Sequence, residues 1–464
     1  MQQSIPFKPA DLDRNYRERL ISLLSSDMDF HDQHSNYATH DCHSFPAKFP
    51  PQLPRKFIEE LTNPGEVVLD PMGGSGTTVL EALLTGRYGI GFDIDPLALK
   101  ISKAKTDPIN LYEVYTLEKE IINRARLELI ENRQSLQEAW QRQWDSDTLK
   151  FINHWFAPET QLELCILAKE IARIENLAMK NFFEIALSSI IITKSGGVSL
   201  ALDLAHTRPH RAKIVLAKNG NIILDNKESQ ALSSRMHILK KTIRSAFDEF
   251  QKRIQQNLRG LAKIELNGSR MAAVMADAQG VPLKDNCIDL IVTSPPYAAN
   301  AIDYMRAHKF SLVWFGYQIG HLGQFRKHYV GGEVVKDILF EEIPDNTKMI
   351  INTLKKRDEK KGRVLHRYYS EMKRILKEMF RVLRPQKAAI VVVGNSTIRG
   401  MDTEIHLCLA EIGKSMGFEV PKVGVRKLDR NRRMLPAGFK INQDSQIQQR
   451  MHEEYVIGFY KPGN

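Results

Sequence analysis

Cysteine is scarce. The 464-residue chain has four, Cys42, Cys165, Cys287 and Cys408, far apart and never in a Cys-x-x-Cys pair. This excludes a disulfide-stapled scaffold and a cysteine-built zinc module; it fits a reducing compartment, so a cytoplasmic location is expected. Cys287 precedes a strand without a Pro-Cys context and is expected to be a core thiol, not a nucleophile. Long apolar runs are also missing, and no stretch approaches the ~18 residues of a membrane-spanning helix. The opening MQQSIPFKPADLDRNYRERL lacks the apolar centre of a signal peptide, so neither secretion nor a membrane partner is expected. No repeat or low-complexity tract is visible.

What is present suffices for a folded core. Hydrophobic residues make up 42% of the chain, with 20 Phe, 13 Tyr and 4 Trp, which excludes a disordered or fibrous protein. At roughly 100–200 residues per domain, the length allows two to four units or one large domain with insertions. Lys and Arg outnumber Asp and Glu by 66 to 55, a net charge of +11. Such an excess favours a polyanionic partner, because neutralising phosphates releases counterions.

The pattern divides the chain. Residues 1–42 predict a helix (Leu12–Leu24) and then a polar surface loop. His31, His34, His40 and His43 of that stretch lack helical i,i+4 spacing, so no metal site is expected. From residue 43, HSFPAKFPPQLP leads into a helix from Arg55 to Leu61. Val67–Leu69 predicts a buried strand, followed by a glycine-rich turn, a helix over Thr78–Thr85, and a strand over Tyr88–Phe92 tipped by Asp93 and Asp95. That succession opens a doubly wound, mostly parallel, Rossmann-like α/β sheet. Residues 107–269 interrupt it as a mostly helical insertion (Tyr112–Trp144, Pro158–Lys194, Lys227–Lys263), broken by SGGVSLALDLAHTRPHRAK and a short strand, NIILD. Residues 270–464 resume the α/β pattern. A strand ends at Asp277 and another spans Ile288–Thr293; then come a charged loop over 320–362, a helix from Arg367 to Leu383, and the strands AAIVVVGN and EEYVIGFYK.

Two segments carry chemistry. In DPMGGSGTT, Gly73, Gly74 and Gly76 let the backbone approach a ligand after a buried strand, and Thr77 and Thr78 sit at a helix N-terminus that attracts a carboxylate or phosphate. No Lys follows the last Gly, so this is not a phosphate-binding P-loop, and the dinucleotide GxGxxG spacing is absent. Asp70 stands at one strand tip and Asp93, 23 residues on, at the next, placed to accept ribose hydroxyls. In TSPPY, Pro295 and Pro296 remove two backbone donors just after a strand. Free carbonyls, the Ser294 hydroxyl and the Tyr297 ring then suit a flat base bearing an exocyclic amine. Each segment alone fits an ordinary turn; together, at neighbouring strand edges, they predict a site.

These residues resemble the S-adenosylmethionine-dependent DNA amino-methyltransferases, most closely the N4-cytosine (SPPY) group. DPMGGSGTT resembles the family's cofactor loop, with Met72 where Phe is usual, and Ser294–Tyr297 resembles its catalytic tetrapeptide. HSFPAKFP, with Phe45, Pro46, Ala47 and Lys48, resembles the segment lying against the methionine part of the cofactor. The resemblance implies cofactor contacts also from Asp70, Pro71, Gly73, Ser75, Gly76, Thr77, Thr78, Asp93 and Asp277. It covers 43–106 and 270–464 and implies a methyltransferase acting on a flipped cytosine in double-stranded DNA, within a restriction-modification or defence system that pairs it with a nuclease. Adenine-N6 and RNA guanine-N2 transfer share the Pro-Pro-Tyr logic and stay open, as does a binding scaffold without turnover. The target-reading region is expected in 107–269 or 320–365. Candidate DNA contacts are Arg208, Arg211, Arg306, Lys309, Arg430, Arg432 and Arg433, with His308 beside them and Arg426 and Lys427 in the tail cluster.

Overall fold

The computed structural model describes residues 15–463 apart from 46–47, 192, 194–196, 203–208, 218, 226–239, 265–270, 299–303, 334, 336–337, 395 and 429–452. The strands are β1 (Val67–Asp70), β2 (Tyr88–Asp93), β3 (Ile214–Leu216), β4 (Ile222–Asp225), β5 (Lys240–Thr242), β6 (Met271–Met275), β7 (Ile288–Thr293), β8 (Leu383–Gly394), β9 (Thr397–Ile398), β10 (Met401–Asp402), β11 (Glu419–Lys427) and β12 (Glu453–Tyr460). Seven of them form one sheet in the order β11-β12-β8-β7-β1-β2-β6. Six of the seven point the same way, and β12 alone, between β8 and β11, runs opposite to them. This is the Rossmann-like α/β architecture the pattern predicts.

The central strands are apolar on both sides because helices cover both faces. Leu69, Ile291, Val391 and Val393 share a core with the helices Glu359–Val382 and Ile405–Ser415. Their sheet neighbours Val68, Leu290, Val292 and Val392 point the other way, onto Leu20 and Leu24 of helix Tyr16–Ser25 and Phe57 of helix Gln52–Leu61. The period of two along each strand therefore builds both interfaces. The N-terminal helix is thus part of the sheet's own packing.

The insertion is helical over Leu111–Glu131, Arg133–Arg142, Ser146–Trp155, Pro158–Ala172, Leu177–Ile191 and Ala246–Leu261. Its side chains Phe183, Ile190 and Phe250 share one core with Leu97 and Ile101, from the helix after β2, and with Phe310 and Trp314, beyond the SPPY segment. Several expectations are corrected. Within Lys227–Lys263 the described helix is Ala246–Leu261, and Lys240–Thr242 is a strand in the small sheet β4-β3-β5. The charged stretch 320–362 is largely helical (Ile319–Phe325, Asp345–Arg357), and the next helix starts at Glu359 rather than Arg367. Its charges mask an apolar face made by Thr347, Ile351, Leu354, Val364 and Leu365, which are buried.

Candidate active site at the carboxyl edge of the sheet

Strand order reverses between β1 and β7: β2 and β6 follow on one side, β8 on the other. Such switch points open a crevice at the carboxyl ends of the strands. DPMGGSGTT leaves β1 and SPPY leaves β7, so both segments flank this crevice.

The glycine loop is tied down on three sides. The Gly73 N–H donates to Phe92 O at 2.8 Å, and the Gly74 N–H to Asp93 Oδ2 at 2.8 Å. Lys105 Nζ, fully buried, donates to Ser75 O at 2.6 Å. Gly76 caps the helix Thr77–Leu84 with φ +72°, and a Cβ there would lie 2.3 Å from Ser102 Oγ, so only glycine fits. Thr78 Oγ1 donates to Val292 O at 3.1 Å and Thr293 Oγ1 to Asp70 Oδ1 at 2.7 Å, joining the loop to β7. Pro71 is buried beneath the turn.

Burial shapes the carboxylates. It raises Asp70 to about 6 against the hydrogen bonds from Thr293 and Met72. It raises Asp93 to about 7, helped by the charges of Asp95 and Asp70, although Gly74 and Asp95 donate backbone N–H groups to it. Asp95 moves the other way: its partners, His308 first, hold it below the usual range against its burial. It caps the helix Pro96–Thr106 through the N–H groups of Leu97 and Ala98. Asp277 is exposed just beyond β6 and accepts from the Gln279 N–H at 2.9 Å, while its neighbour Ala276 bonds Asp93 O.

Phe45 lies over this loop. Its ring is 3.3 Å from where a Gly74 Cβ would stand, and it packs on Tyr304 and His308 at centroid distances of 5.4 and 5.3 Å. Lys48, exposed by contrast, donates to His40 O at 2.7 Å. Pro46 and Ala47 lie outside the described residues.

On the SPPY side, Pro295 is buried and Ser294, Pro296 and Tyr297 are half-buried. The Tyr297 hydroxyl donates to Glu454 Oε1 on β12 at 3.0 Å, and Glu454 Oε2 pairs with Arg426 on β11. Burial and the Glu454 charge push the phenol well above its ordinary range, while Ser294 bonds to it. The ring is therefore a neutral donor anchored to the antiparallel half of the sheet.

Several sequence expectations fail for lack of burial information. His308 is not a surface base: it is buried, and its Nδ1 meets Asp95 Oδ2 at 2.7 Å, with the Tyr329 hydroxyl on the same oxygen. His40 and His43 do not lie in a surface loop; His40 Nε2 meets Glu81 Oε1 at 2.6 Å and His43 Nε2 meets Ser188 Oγ at 2.8 Å, both buried. Among the described residues no cluster could hold a metal ion. Arg211 Nε donates to His154 O at 2.7 Å, Lys309 sits 4.9 Å from the Phe151 ring, and Arg426 is buried. Arg306 stands near Glu333. Arg208, Arg430, Arg432 and Arg433 lie outside the described residues. Cys287 is half-buried at the core's rim, its thiol donating to Lys284 O. Sequence reasoning missed Lys105, Tyr304, Tyr329 and Glu454. Of their contacts, only the Asp95-Pro96 helix start carried a local signal.

Residues 15–104 match the DNA methylase family model N6_N4_Mtase. The chain is 24% identical over 426 residues to the Type II methyltransferase M.MvaI of Kocuria varians, covering 86% of this chain and 87% of that one. It is 23% identical over 428 residues to M.BsoBI of Geobacillus stearothermophilus, covering 84% and 80%. A shorter likeness, 32% over 83 residues, links 18% of the chain to 28% of the DNA adenine methyltransferase YhdJ of Escherichia coli. Among solved structures, the TehB-like SAM-dependent methyltransferase of Corynebacterium glutamicum is similar at TM-score 0.26 and 9% identity, covering 88% of this chain and 86% of that one. No helix among the described residues is long and apolar enough to cross a membrane. The likeness to these Type II methyltransferases runs along most of the chain, and the family-model match spans the Phe45 segment, the glycine loop and Asp93.

Proposed function

We propose that this chain is a site-specific DNA methyltransferase acting on the exocyclic N4 of cytosine, as the modification member of a restriction-modification or defence system. The observation that carries the proposal is the meeting of Ser294–Tyr297 with the Gly73–Gly76 loop at the β1/β7 switch point.

The residues present fit the cofactor. Gly73 and Gly74 leave half-buried backbone without Cβ atoms where a ligand can approach closely, next to the start of the helix Thr77–Leu84, whose dipole favours the cofactor's carboxylate. Asp93, half-buried and raised to about 7, gains from hydroxyl donors that favour its ionised form. The acidic edge of Asp70, Asp93 and Asp277 attracts a cationic ligand. Bound there, S-adenosylmethionine supplies an electrophilic methyl group on a sulfonium.

The protein's task is to present the nucleophile. The amino nitrogen of cytosine is poor because its lone pair is delocalised into the ring, and inside the duplex it is out of reach, so the base must swing out. Ser294 Oγ and the Pro295 carbonyl accept its two hydrogens, favouring a pyramidal nitrogen. Tyr297 offers its face to the ring, held by Glu454. The amino nitrogen, held by Ser294 and the Pro295 carbonyl, would take the methyl group from the sulfonium, which leaves as a thioether, and would lose one proton to solvent. Positioning and exclusion of water provide the acceleration. Ser at the first position gives a neutral acceptor and favours cytosine. Adenine-N6 is the second reading, favoured by the short likeness to the adenine enzyme YhdJ. Incubation with labelled cofactor and DNA, then mass spectrometry of the nucleosides, decides: N4-methylcytosine supports the proposal, N6-methyladenine replaces it, and no labelled nucleoside refutes both.

A further inference from the structure

Among the described residues, one cationic surface stands apart from the candidates that the sequence offers. That surface lies where helix Asp345–Arg357 turns into helix Glu359–Val382. Residues 348–363 hold seven Lys and Arg against two carboxylates. Lys348, Lys356, Arg357, Lys360 and Arg363 are exposed. No ion pair neutralises these five among the described residues, whereas Lys361 pairs with Glu333 and Asp358 with Arg399. Lys355, Lys356 and Arg357 close one helix and Lys360, Lys361 and Arg363 open the next, so the turn gathers both sets at one tip. Gly362 permits this closeness: a Cβ there would lie 2.3 Å from Lys355 Cγ.

The tip lies at the carboxyl edge of the sheet, the edge on which the crevice opens. The long helix runs from the amino edge of the sheet, where the Asn286 N–H bonds Arg381 O just before β7, to the carboxyl edge, where Tyr369 bonds Thr403 O and Asp358 bonds Arg399, both beyond β8. From Tyr369 to Glu359 the helix rises about 15 Å further at 1.5 Å per residue. Glu333 feels the charges of Lys361, Lys360 and also Arg306 of the helix after SPPY, which brings the tip to the catalytic side of the cleft.

We propose that this helical hairpin tip is a docking surface for the phosphate backbone of duplex DNA, holding the helix while the target base enters the crevice. The proposal rests on the methyltransferase reading for its substrate. A row of unneutralised cations on rigid helices matches phosphates spaced along a duplex and supplies positioning without sequence choice.

The test uses the full chain carrying K356Q/R357Q/K360Q/R363Q, with K119Q/R142Q/K150Q/K252Q on the exposed helical insertion as a charge-matched control. Binding of a labelled mixed-sequence duplex is measured against salt, and methylation of plasmid DNA against DNA concentration. For four lost phosphate contacts the log–log salt slope should fall by about 3.6 units. The KM for DNA should rise at least tenfold, with kcat at saturating DNA and cofactor affinity within twofold of wild type. A wild-type slope and KM in the tip variant, or an equal loss in the control, overturns the proposal. Wild-type protein that loses duplex binding through the tip variant yet methylates no DNA keeps the contact and overturns the methyltransferase reading instead.

Discussion

Asp93→Asn separates what the site costs the fold from what it gains from its ligand. The Asp93 carboxyl is raised from 3.8 to about 7 by burial and by Asp95 and Asp70. A raised acid stabilises the native state fully below the unfolded value and loses that stability as pH climbs towards the folded value. The burden therefore grows between about pH 4 and pH 7, reaching roughly 4 kcal/mol by pH 8. Asparagine removes the charge but turns one acceptor into a donor facing the N–H of Gly74 or Asp95, which costs about 1–3 kcal/mol. The ligand-free variant should therefore be more stable than wild type by about 1–3 kcal/mol at pH 8, whereas at pH 5, where the burden is only about 1.7 kcal/mol, the difference should lie within about 1 kcal/mol of zero. Its affinity for S-adenosylmethionine should fall by roughly 1.5–3 kcal/mol, the value of hydrogen bonds to a charged acceptor. Wild-type affinity should itself weaken as pH drops through about 7, and the variant's should not. Urea melts at pH 5 and 8 give the stability, and titration calorimetry across the same range gives the affinity. Asp70 and Glu81, raised to about 6 and about 7, titrate in the same window, so the difference between variant and wild type is the quantity to compare. Unchanged affinity with a lower urea midpoint at pH 8 would refute the reasoning.

Other substitutions divide the two halves of the crevice. Tyr297→Phe keeps the ring but frees it from Glu454, so turnover should drop about tenfold with cofactor affinity unchanged, while Tyr297→Ala also loses stacking worth about 1–3 kcal/mol. Equal loss of cofactor affinity in single-turnover and binding assays would remove Tyr297 from the base side. Lys105→Met takes away a buried amine, lowered by burial to about 7, that holds the Ser75 carbonyl. A lowered base loses stability as pH falls from 10.5 towards 7, so at pH 7 the variant should melt at higher urea while binding S-adenosylmethionine roughly 1–2 kcal/mol more weakly. A loop that binds cofactor as tightly without this amine would show that Gly73, Gly74 and Gly76 set their own geometry.

The sheet was legible because its signals are local. A short apolar strand, a turn that only glycine can make and an acid at the next strand tip lie within 67–93, and each is fixed by neighbours in sequence. What escaped depends on distant partners. His308 follows SPPY among Arg306 and Lys309 and reads as one more surface base; only the packing of its helix against the end of β2 turns it into the partner of Asp95. Glu454 and Arg426 are ordinary strand residues until antiparallel pairing places them together beneath Tyr297. Charged helices escaped for a related reason. In 345–363, the polar residues hide the spacing of Ile351, Leu354, Val364 and Leu365, so a helical hairpin looks like a loop.

Burial also redistributes the charge on which a polyanionic partner was first inferred. The net excess of +11 counts every cation alike. The fold spends some of them inside: Lys105, Arg367 and Arg426 are buried, with their donors on a loop carbonyl, on Glu371 and on Glu454. Among the described residues, the exposed cations are not evenly spread. The cofactor side of the crevice is acidic, with Asp70, Asp93 and Asp277 at successive strand ends, whereas the hairpin tip beyond β8 is basic. On the proposed function, a cationic cofactor and an anionic duplex would be drawn to opposite sides of one cleft. On that proposal the target base would cross from the second side to the first, and Ser294–Tyr297, leaving β7 between β1 and β8, lies between them in the strand order.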